Sequence, residues 1–124
     1  MKIGDLARRA GLSVHTLRYY ERIGLLPRAD RDGGGRRDYD AAILTWIGFL
    51  RRLKTTGMPL REMLRYAGLR RQGEGTGPER RALLEAHRET VRAQVHELQA
   101  CLSVLDAKIE SYSAAETAGK GTAP

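Results

Sequence analysis

The feature that most restricts this chain is an apolar seam in its last third. Leu84, Val91, Leu98, Leu105 and Tyr112 recur every seven residues, and Arg88, Val95, Leu102 and Ile109 fill the companion positions. A seven-residue apolar repeat keeps one helix face in register with a neighbouring helix, so the pattern reads as one strand of a coiled coil. Thr76 and Glu79 have the spacing of a capping box that would start it, and no helix breaker follows until the tail. A helix over residues 79–112 would run about 50 Å at ~1.5 Å per residue. Such a helix projects from a small domain with its stripe uncovered, so the expectation is a homodimer. A helix folding back on its own N-terminal domain is the other reading, and the length argues against it.

The 124 residues leave room for one compact domain besides this helix. Three stretches break the chain: a flexible tip at Gly33, Gly34 and Gly35, a polar, Gly-rich connector at 70–78, and a tail at 113–124 made of small polar residues without periodicity. The tail reads as frayed or disordered. No internal repeat is present. The expected domains are therefore 1–71, a linker at 72–78, the coiled-coil helix at 79–112, and the tail.

Within 1–71 the period is mostly helical. Ile3, Leu6, Ala7 and Ala10 follow the spacing of one helix face, ending at Gly11. Ser13 is placed as the N-cap of a second helix facing inward through Val14, Leu17 and Tyr20. Two short helices joined by about three residues containing glycine have the form of a helix-turn-helix. Leu25-Leu26-Pro27 stops the second helix, and the charged stretch 28–39 around the three glycines suits a short hairpin. Asp40 caps a third helix with Ile43, Leu44, Ile47, Leu50 and Leu53 inward. Gly57 ends it, and Pro59 opens a fourth that buries Met58, Leu60, Met63 and Leu64. The fold class is mainly α: a winged helix-turn-helix followed by a long dimerisation helix.

Charge indicates the partner. Residues 1–71 hold 16 basic and 7 acidic side chains, a net +9, whereas 72–124 hold 6 and 8, a net −2. A compact polycation attracts nucleic acid first and an anionic membrane second, and here the basic residues sit on a folded motif rather than one amphipathic helix. Ser13, Thr16, Arg18 and Tyr19 on the second helix offer polar groups to a major groove. Arg28, Arg31, Arg36 and Arg37 on the hairpin would meet flanking phosphates or the minor groove. Double-stranded DNA is thus the expected partner.

Other chemistries find little support. The single cysteine, Cys101, cannot form an internal disulfide or a cysteine-rich metal cage, and it falls at a heptad flank as a small half-buried residue. His87 and His96 are too far apart to chelate on one helix face, and His15 reads as a helix-surface residue. No nucleophile elbow, phosphate-binding loop or zinc-protease spacing occurs, so no enzyme, cofactor or metal is expected. With no membrane-spanning run and no signal-peptide pattern, a cytoplasmic protein is expected.

Several strings resemble the mercury-resistance-regulator (MerR) family of bacterial transcription factors: Ile3-Gly4-Asp5-Leu6-Ala7, Thr16-Leu17-Arg18-Tyr19-Tyr20-Glu21, Gly24-Leu25-Leu26, Gly35 to Tyr39, and Gly57-Met58-Pro59-Leu60. The resemblance covers about residues 1–112. It implies a dimer with antiparallel long helices that binds a near-palindrome between two promoter elements and kinks and untwists the spacer for RNA polymerase. It also implies DNA contacts at Arg18, Tyr19, Arg37 and Tyr39, while the heptad seam itself places the dimer contacts along Leu84, Val91, Val95, Leu98, Leu102, Leu105, Ile109 and Tyr112. Trp46 to Lys54 and Gln72 to Thr76 look most like the aldehyde-responsive AdhR-like subgroup, but Arg52 stands where that subgroup has its sensor cysteine. Arg36 replaces a larger apolar residue or tyrosine, so the wing tip relies more on charge. The loop that carries metal-binding cysteines in the metal-responsive branch has none here. Any small-molecule effector would have to act at the coil or its junction with residues 52–80. An architectural DNA-bending protein of the excisionase type, without promoter regulation, is the alternative.

Overall fold

A computed structural model describes residues 1–35 and 37–119, with Arg37 described in its main chain. The order is α1 (Ile3–Ala10), α2 (Val14–Arg22), β1 (Asp30–Arg31), β2 (Arg37–Asp38), α3 (Ala42–Thr55), α4 (Leu60–Arg71), a short 3-10 turn (Glu74–Thr76) and α5 (Gly77–Thr117). β1 and β2 form an antiparallel hairpin pairing Asp30 with Asp38 and Arg31 with Arg37. The chain divides into two compact units, Met1–Leu84 and a second beginning at Glu85.

Each short helix of the first unit has a local cause. α1 stops because Gly11 takes a left-handed φ of 68°, where a side chain would be strained, letting the Leu12 N–H donate to Ala7 O at 3.1 Å. Ser13 then caps α2: its Oγ accepts from the Thr16 N–H at 3.0 Å. Asp40 accepts from the Ala42 N–H at 2.9 Å and starts α3. Pro59 lies just outside α4 in an extended conformation, its carbonyl accepting from the Glu62 and Met63 N–H groups.

The core joins all of these elements. Leu6, Ala7, Ala10, Leu17, Ile43, Ile47, Leu50, Leu53, Met58 and Met63 are buried, as the helical spacing predicts. Fully burying a Leu, Ile or Met side chain stabilises by roughly 1.5–3 kcal/mol, and an alanine methyl by less. Leu60 departs from the expectation and is 43% exposed, because it occupies the first turn of α4, on the solvent side of the chain entry. Trp46 joins the core instead; its Nε1–H donates to Leu25 O at 3.0 Å, and its ring stacks on Tyr66 and carries the Arg70 guanidinium at 4.4 Å.

Two sequence expectations change at the connector and tail. Thr76 does not form a capping box with Glu79. Its hydroxyl is buried within reach of Leu69 O (2.6 Å) and Gly73 O (2.8 Å), and Arg80 Nε donates to it at 3.1 Å. Thr76 therefore fastens the end of α4 to the connector. α5 begins at Gly77 and continues through Ser113–Thr117, where a frayed tail was expected. Ala114, Ala115 and Glu116 are good helix formers, so the helix persists after its apolar repeat ends.

Candidate nucleic-acid interface

α2 carries Arg18 and Arg22, and Arg28 and Arg31 follow on the way into and along the hairpin, all four exposed. Arg18 lies in the middle of α2 and is exposed, Tyr19 is 38% exposed, and Thr16 is half-buried in the first turn. Ser13 and Thr16 also bond to each other through their hydroxyls at 2.9 Å, so part of their polar capacity goes to holding the start of α2. Arg22, one turn beyond Arg18, places its guanidinium 5.5 Å from the centre of the Tyr19 ring, which restricts how that tyrosine stands on the helix.

A concavity of about 440 Å³ opens between α2 and the segment leading into the hairpin. Its lining includes Ile3, Arg18, Glu21, Arg22 and Arg28. Three guanidiniums around one hollow can each donate two parallel N–H bonds to a phosphate, and such bonds are stronger than neutral ones. Sequence reading singled out Arg18 and Arg28 but not Arg22 or Ile3. The signal for Arg22 was its four-residue spacing from Arg18, which puts both on one helix face.

The hairpin tip is organised by Asp32. Its Oδ1 accepts from the Gly34 N–H at 2.9 Å, its carbonyl accepts from the Gly35 N–H at 3.0 Å, and Lys2 Nζ pairs with its other oxygen. Arg31 donates from Nη1 to Gly35 O at 2.7 Å and remains exposed, with further donors in its guanidinium. Arg37 lies in β2 and Arg36 falls outside the described residues.

Tyr39 requires a correction. Expected on the DNA-contacting surface, it is 3% exposed, and its hydroxyl donates to Glu21 Oε2 at 2.7 Å. Its main-chain N–H donates to Met1 O at 2.7 Å. Its ring is packed in the core rather than presented on the surface, and its hydroxyl ties the exit of the hairpin to α2. Glu21, 8% exposed, is the acceptor that makes this tie, and its burial was not foreseen.

The expected dimer residues fall in both units. Leu84 is half-buried and packs against the core of the first unit. On α5 beyond Glu85, Val91 and Tyr112 are half-buried, with Lys108 Nζ 5.3 Å from the Tyr112 ring centre. Val95, Leu98, Leu102, Leu105 and Ile109 are exposed, Leu98 by 64%. Cys101 is exposed, its Sγ 4.0 Å from Glu97 Oε1. Among the described residues, no cluster of three His, Cys, Asp or Glu could hold a metal, and no helix is long and apolar enough to cross a membrane.

This arrangement matches known proteins along most of the chain. Residues 2–39 fit the family model described as MerR family regulatory protein, and residues 44–108 fit that described as MerR, DNA binding. An uncharacterized HTH-type transcriptional regulator of Haemophilus influenzae is 37% identical over 113 residues, covering 91% of this chain and 84% of that one. The HTH-type transcriptional regulator AdhR of Bacillus subtilis is 36% identical over 89 residues, covering 72% of this chain and 64%, just under two thirds, of that one. The crystal structure of HiNmlR, a MerR family regulator lacking the sensor domain, bound to promoter DNA, superposes with a TM-score of 0.79 at 36% identity, covering 95% of this chain and 94% of that one. With two family models spanning its helix-turn-helix, wing and long helix, the chain belongs to the MerR family of HTH-type transcriptional regulators.

Proposed function

We propose that the protein binds a near-palindromic promoter site as a homodimer, distorts the spacer DNA between the two promoter elements, and so controls access of RNA polymerase. The observation that supports this reading is the hollow where Arg18, Arg22 and Arg28 outnumber the one carboxylate, Glu21, which accepts from Tyr39, beside exposed Tyr19. One such head makes few base contacts. Two heads held about one DNA turn apart (~34–36 Å) read a palindrome and double the phosphate contacts. Bending a site by tens of degrees costs of order 1–6 kcal/mol, and the guanidiniums on the hairpin and hollow offset it through phosphate bonds. The exposed stripe from Val95 to Ile109 is the surface through which two chains would pair, with the long helices antiparallel. Burying that stripe is what makes the dimer favourable.

A small-molecule effector would act by binding the DNA-distorting and non-distorting states unequally. With Arg52 at the AdhR-like sensor position, that signal would not be read by a thiol at residue 52.

Mapping the sites the protein occupies on genomic DNA tests the proposal. Occupancy of promoter spacers, with transcription of the adjoining genes changed when the protein is deleted, is the expected result. Footprints outside promoters with no transcriptional effect would instead support the architectural, excisionase-type reading.

A further inference from the structure

A second cavity, of about 250 Å³ and partly open to solvent, lies where the helix-turn-helix meets α3 and α4. Leu12, Ile47 and Met63 contribute apolar walls, and Tyr20, Arg51 and Lys54 are its polar members; among the described residues no carboxylate lines it. Ile47 and Met63 are buried, whereas Arg51 and Lys54 are exposed, so the apolar floor lies beneath a cationic mouth. Lys54 has no ion pair among the described residues. Arg51 donates one N–H to Ala10 O, the last carbonyl of α1, and keeps its other donors.

Protein cores close-pack and leave few voids larger than a water molecule, while ligand sites are apolar hollows with a few placed polar groups. Two cations without a counter-charge at the mouth select an anion, and the apolar floor selects a hydrocarbon body. At about 250 Å³ the space is below the range of drug-sized sites, so the body must be short. We propose that this cavity binds a small amphipathic carboxylate, its head at Lys54 and Arg51 and its chain against Ile47 and Met63.

An anion at the mouth competes with the Ala10 carbonyl for Arg51. Ala10 precedes the turn that sets α2 on α1, so occupancy alters the clasp behind the reading helix. That consequence for DNA rests on the promoter-binding reading above, whereas the binding itself does not.

The test is calorimetric titration of sodium octanoate into the full-length protein without DNA, beside octan-1-ol and octylammonium. Saturable binding of one octanoate per chain is expected, with a Kd of about 1 mM or tighter, ordinary for a ligand of this size. The alcohol and the amine should bind at least about fivefold more weakly. Lys54→Gln, at an exposed position, should weaken octanoate about three- to fivefold, the range of a partly solvated ion pair. Leu12→Phe, which fills the cavity from the turn, should abolish it. Absence of saturation, equal binding of octan-1-ol, or an unchanged Kd in Lys54→Gln would each overturn the proposal. Saturation with these discriminations upholds the pocket even if genomic mapping finds no promoter occupancy.

Discussion

Replacing Tyr39 by Phe removes a single hydroxyl and leaves the ring to fill its buried site. The hydroxyl donates to a buried Glu21 carboxylate at 2.7 Å, a charge-assisted bond linking positions eighteen residues apart. Such bonds contribute about 1.5–3 kcal/mol, and removing the donor leaves a buried acceptor less well satisfied. Taking about 2 kcal/mol, and about 4–8 °C in Tm per kcal/mol for a unit the size of Met1–Leu84, the expected loss is about 8–16 °C. Thermal unfolding of wild type and Tyr39→Phe, followed by circular dichroism at equal protein concentration and without DNA, reads this directly. Because the bond fastens the hairpin exit to α2, DNA affinity measured well below the Tm should fall as well. A Tm within about 2 °C of wild type, with DNA affinity reduced, would refute the positioning role and make Tyr39 a direct DNA contact.

Other substitutions separate the remaining roles. Arg18→Ala should lower affinity for a cognate site by about 1–3 kcal/mol and relax its sequence preference in competition binding; equal weakening on all sequences would mean that Arg18 touches only phosphate. Leu98→Lys places like charges in the seam and should convert the dimer to monomer by light scattering, and an unchanged mass would refute the seam assignment. Gly24→Ala should destabilise by about 1–2 kcal/mol in urea unfolding, since Gly24 has φ of 87° while its added Cβ would meet Arg71 only at an ordinary 3.6 Å; unchanged stability would show that the left-handed geometry is not required. Cys101→Ser should leave DNA binding and any inducer response intact, and loss of a thiol-reactive response would make Cys101 a sensor.

The four short helices could be read from the sequence because each joins an apolar period to a local stop or cap, as with Leu6-Ala7-Ala10 before Gly11 or Leu17 after Ser13. These signals lie within one helix and need no tertiary information. The features that the sequence does not show have the opposite property. Glu21 stands in a polar string on α2, and only the return of the chain at Tyr39 encloses it. Tyr39 is assigned to the DNA surface only by the family resemblance, which does not show its contact with Glu21 on another element. Thr76 and Glu79 satisfy capping spacing, yet the carbonyl of Leu69 captures the hydroxyl. Leu84 fits the heptad by count, and its packing on the core of the first unit is a further contact that the repeat does not show. The basic hollow was half legible: Arg18 and Arg28 follow from composition and motif, whereas the four-residue spacing puts Arg22 on the face of Arg18 and only the geometry of the concavity brings all three together.

Sedimentation velocity of the protein on one mapped promoter duplex, beside a scrambled duplex of equal length at physiological salt, tests the central claim most directly. The account predicts two chains per promoter duplex and a preference of at least about a thousandfold over the scrambled sequence. One chain per duplex, or equal affinity for both, would contradict it.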